Sequence, residues 1–152
     1  MLTIAPFLWF ESQAEEAMNF YASIFPRSKA LTVNRAQGRV MSVEFELEGQ
    51  RFLALNGGPM YRFNEAVSFL VSCDTQGEID DLWSKLTADG GEPGRCGWLK
   101  DKFGLSWQIV PSTLGKFLSG GGDAERAKRV MEVFCQMNKF DIGQLQAAYD
   151  GK

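Results

Sequence analysis

Histidine is absent from the 152 residues of this chain. That absence excludes a Ser–His or Cys–His nucleophile pair, an imidazole general base, and any metal or haem held by histidine. Cysteine is scarce, and Cys73, Cys96 and Cys135 are widely spaced, without a CxxC pair. Neither a disulfide framework nor a zinc ribbon is indicated, and a reducing, cytoplasmic environment is expected.

Long apolar runs and an excess of basic residues are also missing. No stretch approaches the roughly 20 apolar residues of a membrane span, so no membrane partner is expected. The net charge of −3, from 16 basic and 19 acidic residues, disfavours a nucleic-acid partner. The apolar stretch Leu2 to Phe10 lacks a basic region and a cleavage site, which favours a strand over a signal peptide.

What the chain does have is 45% hydrophobic residues with 12 Phe, enough for a core. Residues 4–10 predict a strand. Ser12, with Glu15 three residues later, predicts a helix that starts with a capping box and stops at Pro26. Three further strands are predicted at residues 30–36, 40–48 and 51–56.

A second unit follows the same order. Residues 66–73 predict a strand, and Thr75 with Glu78 predicts a second capping box and helix. Strands are predicted at residues 94–100 and 105–110. Three short helices are predicted at residues 112–119, 124–138 and 141–149, with Gly120–Gly122 as a joint.

Shifting the chain by 62 residues overlays it on itself without a gap, Phe7 to Ile24 on Phe69 to Leu86. The predicted fold class is therefore α+β: two βαβββ repeats form a curved half-barrel sheet with outer helices and a C-terminal helical tail. We expect one domain over residues 1–152. Repeat one covers about 3–58, repeat two about 65–111 and the tail about 112–149. The concave side of such a sheet is where a ligand is expected.

Three segments, FLWFESQAEEAMNFYASIF, ALNGGP and CGWLKDKFGLSWQIVP, carry a resemblance to a known family. The chain resembles the vicinal oxygen chelate superfamily of glyoxalase, bleomycin-resistance and dioxygenase proteins. More narrowly it resembles the PhnB-like branch, which is sometimes labelled a 3-demethylubiquinone-9 3-methyltransferase domain. The residues give that label no support, because no Gly-rich loop joins a strand to a helix in a Rossmann-like unit.

The resemblance implies four metal-ligand positions, on the first and last strands of each repeat. They fall here on Pro6, Asn56, Ser68 and Gln108. One has no donor atom and three are neutral, so no metal and no cofactor are expected. A carboxylate from elsewhere, such as Glu11 or Glu65, would be the alternative source of a ligand.

The same positions are candidates for binding a small molecule instead. Strand parity predicts that Ser106 joins Gln108 in the cup, and that Ala54 and Phe52 join Asn56. For Asn56 and Gln108 the alternative is a structural role, capping turns and satisfying buried backbone groups.

Aromatic side chains are the second group of ligand candidates. Trp9 and Trp98 are candidates to stack on a flat ligand, or else ordinary core residues. Met60 and Tyr61 follow Gly57-Gly58 and form a possible lid, or else a mobile surface loop. Cys96 fits a structural thiol better than a nucleophile, because no histidine can activate it.

Taken together, the sequence predicts a protein that binds an unknown small molecule in the cup without a metal. The alternative is a metal-dependent lyase, isomerase or dioxygenase with an unusual ligand set. A third possibility assigns the tail to assembly. The resemblance implies a homodimer, and an apolar stripe on the tail offers it a surface: Val130, Val133, Phe134 and Met137.

Overall fold

The computed structural model describes all of residues 1–152, and they form two compact units, Met1–Phe63 and Asn64–Lys152. Each unit contains one open, four-stranded mixed sheet and one helix in the order βαβββ. The second unit continues into a helical tail. The predicted α+β class and the two repeats are confirmed.

The first unit has the strand order β1-β4-β3-β2, with β1 parallel to β4 and the other neighbours antiparallel. Its elements are β1 (Phe7–Phe10), α1 (Ala14–Ile24), β2 (Ser28–Ala36), β3 (Arg39–Leu47) and β4 (Gln50–Asn56).

A ladder of aromatic rings joins α1 to this sheet. The ring centroids of Tyr21 and Phe45 lie 6.2 Å apart, and those of Phe45 and Phe52 lie 5.4 Å apart. All three side chains are buried. Because a buried aromatic side chain stabilises a fold by about 1.5–3 kcal/mol, this ladder fixes which face of the sheet α1 covers.

The capping box predicted at the start of α1 is wrong. The N-cap residue is Gln13, whose side chain makes no capping hydrogen bond. Instead Asn56, at the end of β4, accepts a hydrogen bond from the Ala14 N–H at 2.8 Å. A distant amide thus satisfies a helix-terminal donor that a local Ser would ordinarily satisfy.

The second unit has the strand order β5-β8-β7-β6, with β5 parallel to β8. Its elements are β5 (Ser68–Cys73), α2 (Gln76–Leu86), β6 (Glu92–Pro93), β7 (Trp98–Lys100) and β8 (Ser106–Pro111). The capping box of Thr75 and Glu78 is confirmed in both of its hydrogen bonds.

The strand predicted over 94–100 is broken, because Arg95–Gly97 form a turn. Cys96 and Gly97 both adopt positive φ, 56° and 81°. The Cys96 N–H donates to Met137 O and the Gly97 N–H donates to Asn138 O, each at 2.8 Å. A side chain at Gly97 would collide with the ring of Phe140, so the close approach requires glycine.

The tail contains α3 (Leu114–Ser119), α4 (Ala124–Phe134) and α5 (Ile142–Asp150), close to the predicted helices. The expectation that its apolar stripe is a free surface is wrong. Val130 and Met137 are buried, and Phe134 stacks on Phe140 at 5.3 Å. None of the helices combines the length and the apolarity that crossing a membrane requires.

The two repeats match with one offset in their helices and another in their strands. The buried positions Ala17 and Ile24 correspond to Ile79 and Leu86 at the predicted 62 residues. The first strands, β1 and β5, instead match at 63, because α1 begins four residues after Phe10, whereas α2 begins three residues after Cys73. The gap-free overlay is therefore wrong for the strands, where a one-residue slip exchanges the two faces.

Candidate functional site

The side of each sheet opposite its helix is called here the far face, and it carries most of the candidate residues. In the first unit Phe7 pairs with Leu53 and Trp9 pairs with Leu55, so these four side chains share the far face. Phe7 is 56% exposed, and the other three are half-buried. The far face of the first sheet is therefore apolar along β1 and β4.

Trp9 is held firmly on this face. Its indole N–H donates to Gly58 O at 2.9 Å, and a side chain at Gly57 would overlap its ring. Tyr61 meets Trp9 edge to face, with centroids 5.0 Å apart and an interplanar angle of 78°. Tyr61 and Met60 remain exposed, at 60% and 74%.

Asn56 does not lie on the far face. Its partner in register is the buried Phe10, and Ala54 and Phe52, two and four residues away, are buried on the α1 side. The predicted cup lining of Asn56, Ala54 and Phe52 is wrong. Asn56 bonds to Ala14 N as above, and its Nδ2 donates to Val40 O at 3.1 Å.

The far face of the second sheet does bring predicted residues together. Leu70, Gln108 and Trp98 form one cross-strand row over β5, β8 and β7. The Gln108 Nε2 donates to Ser68 Oγ at 2.9 Å. Leu70 is 58% exposed, while Ser68, Trp98 and Gln108 are half-buried.

Strand alternation also keeps the opposite face apolar. Leu99, Trp107 and Ile109 are at most 2% exposed on the α2 side, as parity predicts for Trp107 and Ile109. The buried Asp101 holds the β7–β8 turn that sets this register. Its carboxylate accepts from Phe103 N, Leu105 N and the Trp107 indole N–H at 2.9–3.1 Å.

A second row on the same face is formed by Ser68, Ser106, Lys100 and Glu92, of which sequence reasoning missed Lys100 and Glu92. Ser106 is 1% exposed, and its Oγ has no hydrogen-bond partner. Lys100 forms an ion pair with Glu65, which raises the pKa of Lys100 and lowers that of Glu65. The hairpin turn after Lys100 was the available signal, because it pairs Lys100 with Ser106.

The cysteines do not form a reactive centre. All three are free thiols. Burial raises the pKa of Cys73 to about 11 and also raises that of Cys96. Cys96 Sγ lies 3.7 Å from Phe134 O, as a structural thiol would.

Two βαβββ units with open mixed sheets define a glyoxalase-like protein of the vicinal oxygen chelate superfamily. The family described as 3-demethylubiquinone-9 3-methyltransferase matches residues 2–110. The chain belongs to this family. Residues 111–152, nearly all of them in the tail, lie beyond the matched region.

Solved structures agree with this assignment. A PhnB protein from Bacillus cereus with the same methyltransferase description is 35% identical, with a TM-score of 0.67, over 72% of this chain and 99% of that one. A glyoxylase/bleomycin resistance protein/dioxygenase domain from Frankia is 13% identical, with a TM-score of 0.50, over 73% and 92%. The fosfomycin resistance protein FosX from Listeria monocytogenes, solved with Mn(II) and sulfate, is 14% identical, with a TM-score of 0.56, over 78% and 98%. The last two show the fold alone, and none of the curated proteins compared with the chain matches it.

The donors present do not fit the metal that the superfamily implies. By strand pairing, the first-unit counterpart of Gln108 is Leu53 and that of Leu70 is Phe7, because Phe7 pairs with Leu53 as Leu70 pairs with Gln108. Those side chains are apolar, and Ser68 and Gln108 are neutral and bonded to each other. No group of three His, Cys, Asp or Glu side chains is placed to hold an ion.

Proposed function

We propose that this protein binds a small molecule on the far faces of its sheets without a metal. The observation that carries the proposal is the Gln108–Ser68 hydrogen bond at 2.9 Å. The resemblance implies metal ligands at these two positions, and the chain has an amide and a hydroxyl there instead. A neutral pair of this kind suits an organic ligand better than a divalent ion.

The pair leaves hydrogen-bonding capacity for a ligand. Gln108 uses its Nε2 as donor, so its Oε1 remains an acceptor, and the Ser68 hydroxyl hydrogen remains a donor. Leu70 and Trp98 flank Gln108 in register and supply apolar surface. A few polar groups among apolar ones is the usual composition of a small-molecule site.

Trp9 supports the same proposal in the first unit. The contacts with Gly57, Gly58 and Tyr61 fix its indole ring, so little conformational entropy is lost when a ligand stacks on it. Met60 and Tyr61 border that ring and are the proposed lid. Asn56 is left out of the proposed contacts, because both ends of its amide bond within its own unit.

The activity in the family's description is not the one proposed. Gly120–Gly122, the one run of three glycines, lies in the tail between α3 and α4 and not between a strand and a helix. A nucleotide-like cofactor is ordinarily held at such a strand-to-helix turn. Binding or sequestering a small molecule requires no cofactor site and can use the far faces alone.

The test is a thermal-shift screen of a chemically diverse small-molecule collection, followed by measured affinities for the hits. Gln108→Ala should weaken a hit by about 1–3 kcal/mol, roughly 5- to 150-fold, because the amide loses its contacts. Gln136→Ala is the matched control, since Gln136 is exposed on the tail. A hit that binds both variants as it binds the parent would place the site elsewhere.

We also propose a homodimer in a cytoplasmic setting. The support for the dimer is now the family alone, because the tail stripe is packed within its own unit. Three free thiols support a reducing compartment.

A further inference from the structure

We propose that the far face of the second sheet takes a small organic carboxylate, whose charged group replaces the Glu65 carboxylate at Lys100. This inference rests on the proposed function and names the chemical class of its ligand.

The geometry starts from Lys100. It lies on the short β7 strand, paired with Ser106 on one side and with Glu92 on the other. Ser106 is in turn paired with Ser68, which bonds to Gln108. Directly paired side chains on neighbouring strands lie about 4.5–5.5 Å apart at Cβ. In this patch one cation, Lys100, therefore lies beside three neutral hydrogen-bonding groups on one side and the Glu92 carboxylate on the other.

Ser106 is an independent indication that this patch has room for one more hydrogen-bonding group. Its hydroxyl is the single buried side-chain polar atom without a hydrogen-bond partner. A buried hydroxyl left unpaired costs about 1–3 kcal/mol, so a group that accepts its hydrogen is favoured. Strand alternation points Ser106 to the same face as Lys100 and Gln108, because Trp107 between them faces α2.

Glu65 shows what the patch accepts. It precedes β5, its side chain is 58% exposed, and it reaches Lys100 with its carboxylate. An exposed ion pair contributes at most about 1 kcal/mol, so its replacement by a ligand acid is not costly. A carboxylate that also bonds Ser106 gains a hydrogen bond that Glu65 is not seen to make.

The adjacent row defines the rest of the ligand. Leu70 and Trp98 flank Gln108 immediately beyond the Lys100–Ser106 pair. They offer apolar surface to the body of a molecule whose acid group sits at Lys100. An aromatic or short aliphatic acid matches both rows.

The probe is benzoate, with benzamide as its neutral isostere. Both are titrated into ¹⁵N-labelled full-length protein, and the backbone amide shifts of Lys100, Ser106 and Gln108 are followed by NMR. Benzoate should bind at least about tenfold more tightly than benzamide, because charge-assisted hydrogen bonds are roughly twice as strong as neutral ones.

The chain offers a matched pair of controls. Lys85 and Asp81 form another exposed ion pair in the same unit, with side-chain exposures of 46% and 54% against 38% and 58% for Lys100 and Glu65. Glu65→Gln should tighten benzoate about threefold or more by freeing Lys100, whereas Asp81→Asn, with the same charge change, should not. Lys100→Gln should weaken benzoate about tenfold, and Lys85→Gln should leave it unchanged.

Each contrary result overturns the inference. Benzamide binding as tightly as benzoate removes the need for charge. If Glu65→Gln and Asp81→Asn change benzoate affinity equally, the effect comes from the net charge of the protein and not from freeing Lys100. If inorganic phosphate binds more tightly than benzoate at the same amides, the site prefers an oxyanion other than a carboxylate. A neutral hit that depends on Gln108 but not on Lys100 leaves the proposed function standing while this inference fails.

Discussion

The Asn56 side-chain carbonyl accepts a hydrogen bond from the Ala14 N–H at 2.8 Å, and so a residue at the end of β4 caps the first turn of α1. Asn56→Ala should lower the free energy of unfolding by about 1–2 kcal/mol, because the helix terminus and Val40 O both lose a partner. Urea denaturation measures it. Ser12→Ala is the control and should change stability little, since no hydrogen bond to the Ser12 side chain is formed.

Asp101 should be among the most sensitive positions to substitution. It is 2% exposed and accepts hydrogen bonds from two backbone N–H groups and the Trp107 indole. Asp101→Ala leaves these donors buried and unpaired, which should cost on the order of 3 kcal/mol. Asp74→Ala, an exposed aspartate in the same unit, should cost under about 0.5 kcal/mol. Equal denaturation midpoints for the two variants would contradict the role given to Asp101.

The three thiols should react in a fixed order with iodoacetamide at pH 8. Cys135 is exposed and should react first, Cys96 is half-buried and slower, and Cys73 should react last. Burial raises the Cys73 pKa from 9.0 to about 11, so little thiolate is present. Because the pKa of Cys73 is higher in the folded protein, its neutral thiol contributes to the free energy of unfolding. That contribution is complete below pH 9 and is lost as the pH rises through about 11. Peptide mapping by mass spectrometry gives the order, and early labelling of Cys73 would contradict it.

Purified protein should hold no tightly bound catalytic metal. The first-unit positions that match Leu70 and Gln108 are Phe7 and Leu53, which offer no donor atoms. Elemental analysis of untagged protein prepared without chelators is the measurement. Stoichiometric zinc, nickel, manganese or iron, lost together with an activity on chelation, would refute this prediction and restore the metal-dependent alternative.

In solution the chain should be a dimer, of about twice its 17.0 kDa mass by light scattering at micromolar concentration. Because Val130 and Met137 are buried within the unit, Val133→Ser, at a half-buried position of the same stripe, should leave the mass unchanged. A mass of one chain would refute the dimer. Conversion to one chain by Val133→Ser would restore the stripe as its interface.

The sequence predicts the α+β class and the order of elements well, because hydrophobic period and capping signals are local. The Thr75–Glu78 capping box shows this. Prediction from the sequence fails where the hydrogen-bond partner of a residue is distant along the chain. No residue near Ser12 indicates that Asn56 caps α1 in its place. The break in the strand at Cys96 depends on backbone carbonyls of the tail, 41 residues further along the chain.

Site prediction divides in the same way. Parity from Gln108 places Ser106 correctly, because the Asp101 turn keeps the register. Parity from Asn56 fails, because the position in β4 that corresponds to Gln108 is Leu53, and Asn56, three residues further on, lies on the opposite face. The 62-residue offset likewise pairs Pro6 with Ser68, whereas β1 and β5 match at 63. One residue in the strand-to-helix connection decides which side of a sheet a side chain occupies.

The tail has a consequence for Trp98, which lies within the region that the family matches. Met137 O and Asn138 O, both beyond residue 110, are the acceptors for the turn that leads into Trp98. The strand β7 has three residues, and it pairs with both β6 and β8. A segment outside the region that the family matches thus supports a turn inside that region. A substitution confined to the tail can therefore alter how the Trp98 side chain is presented on the far face of the second sheet.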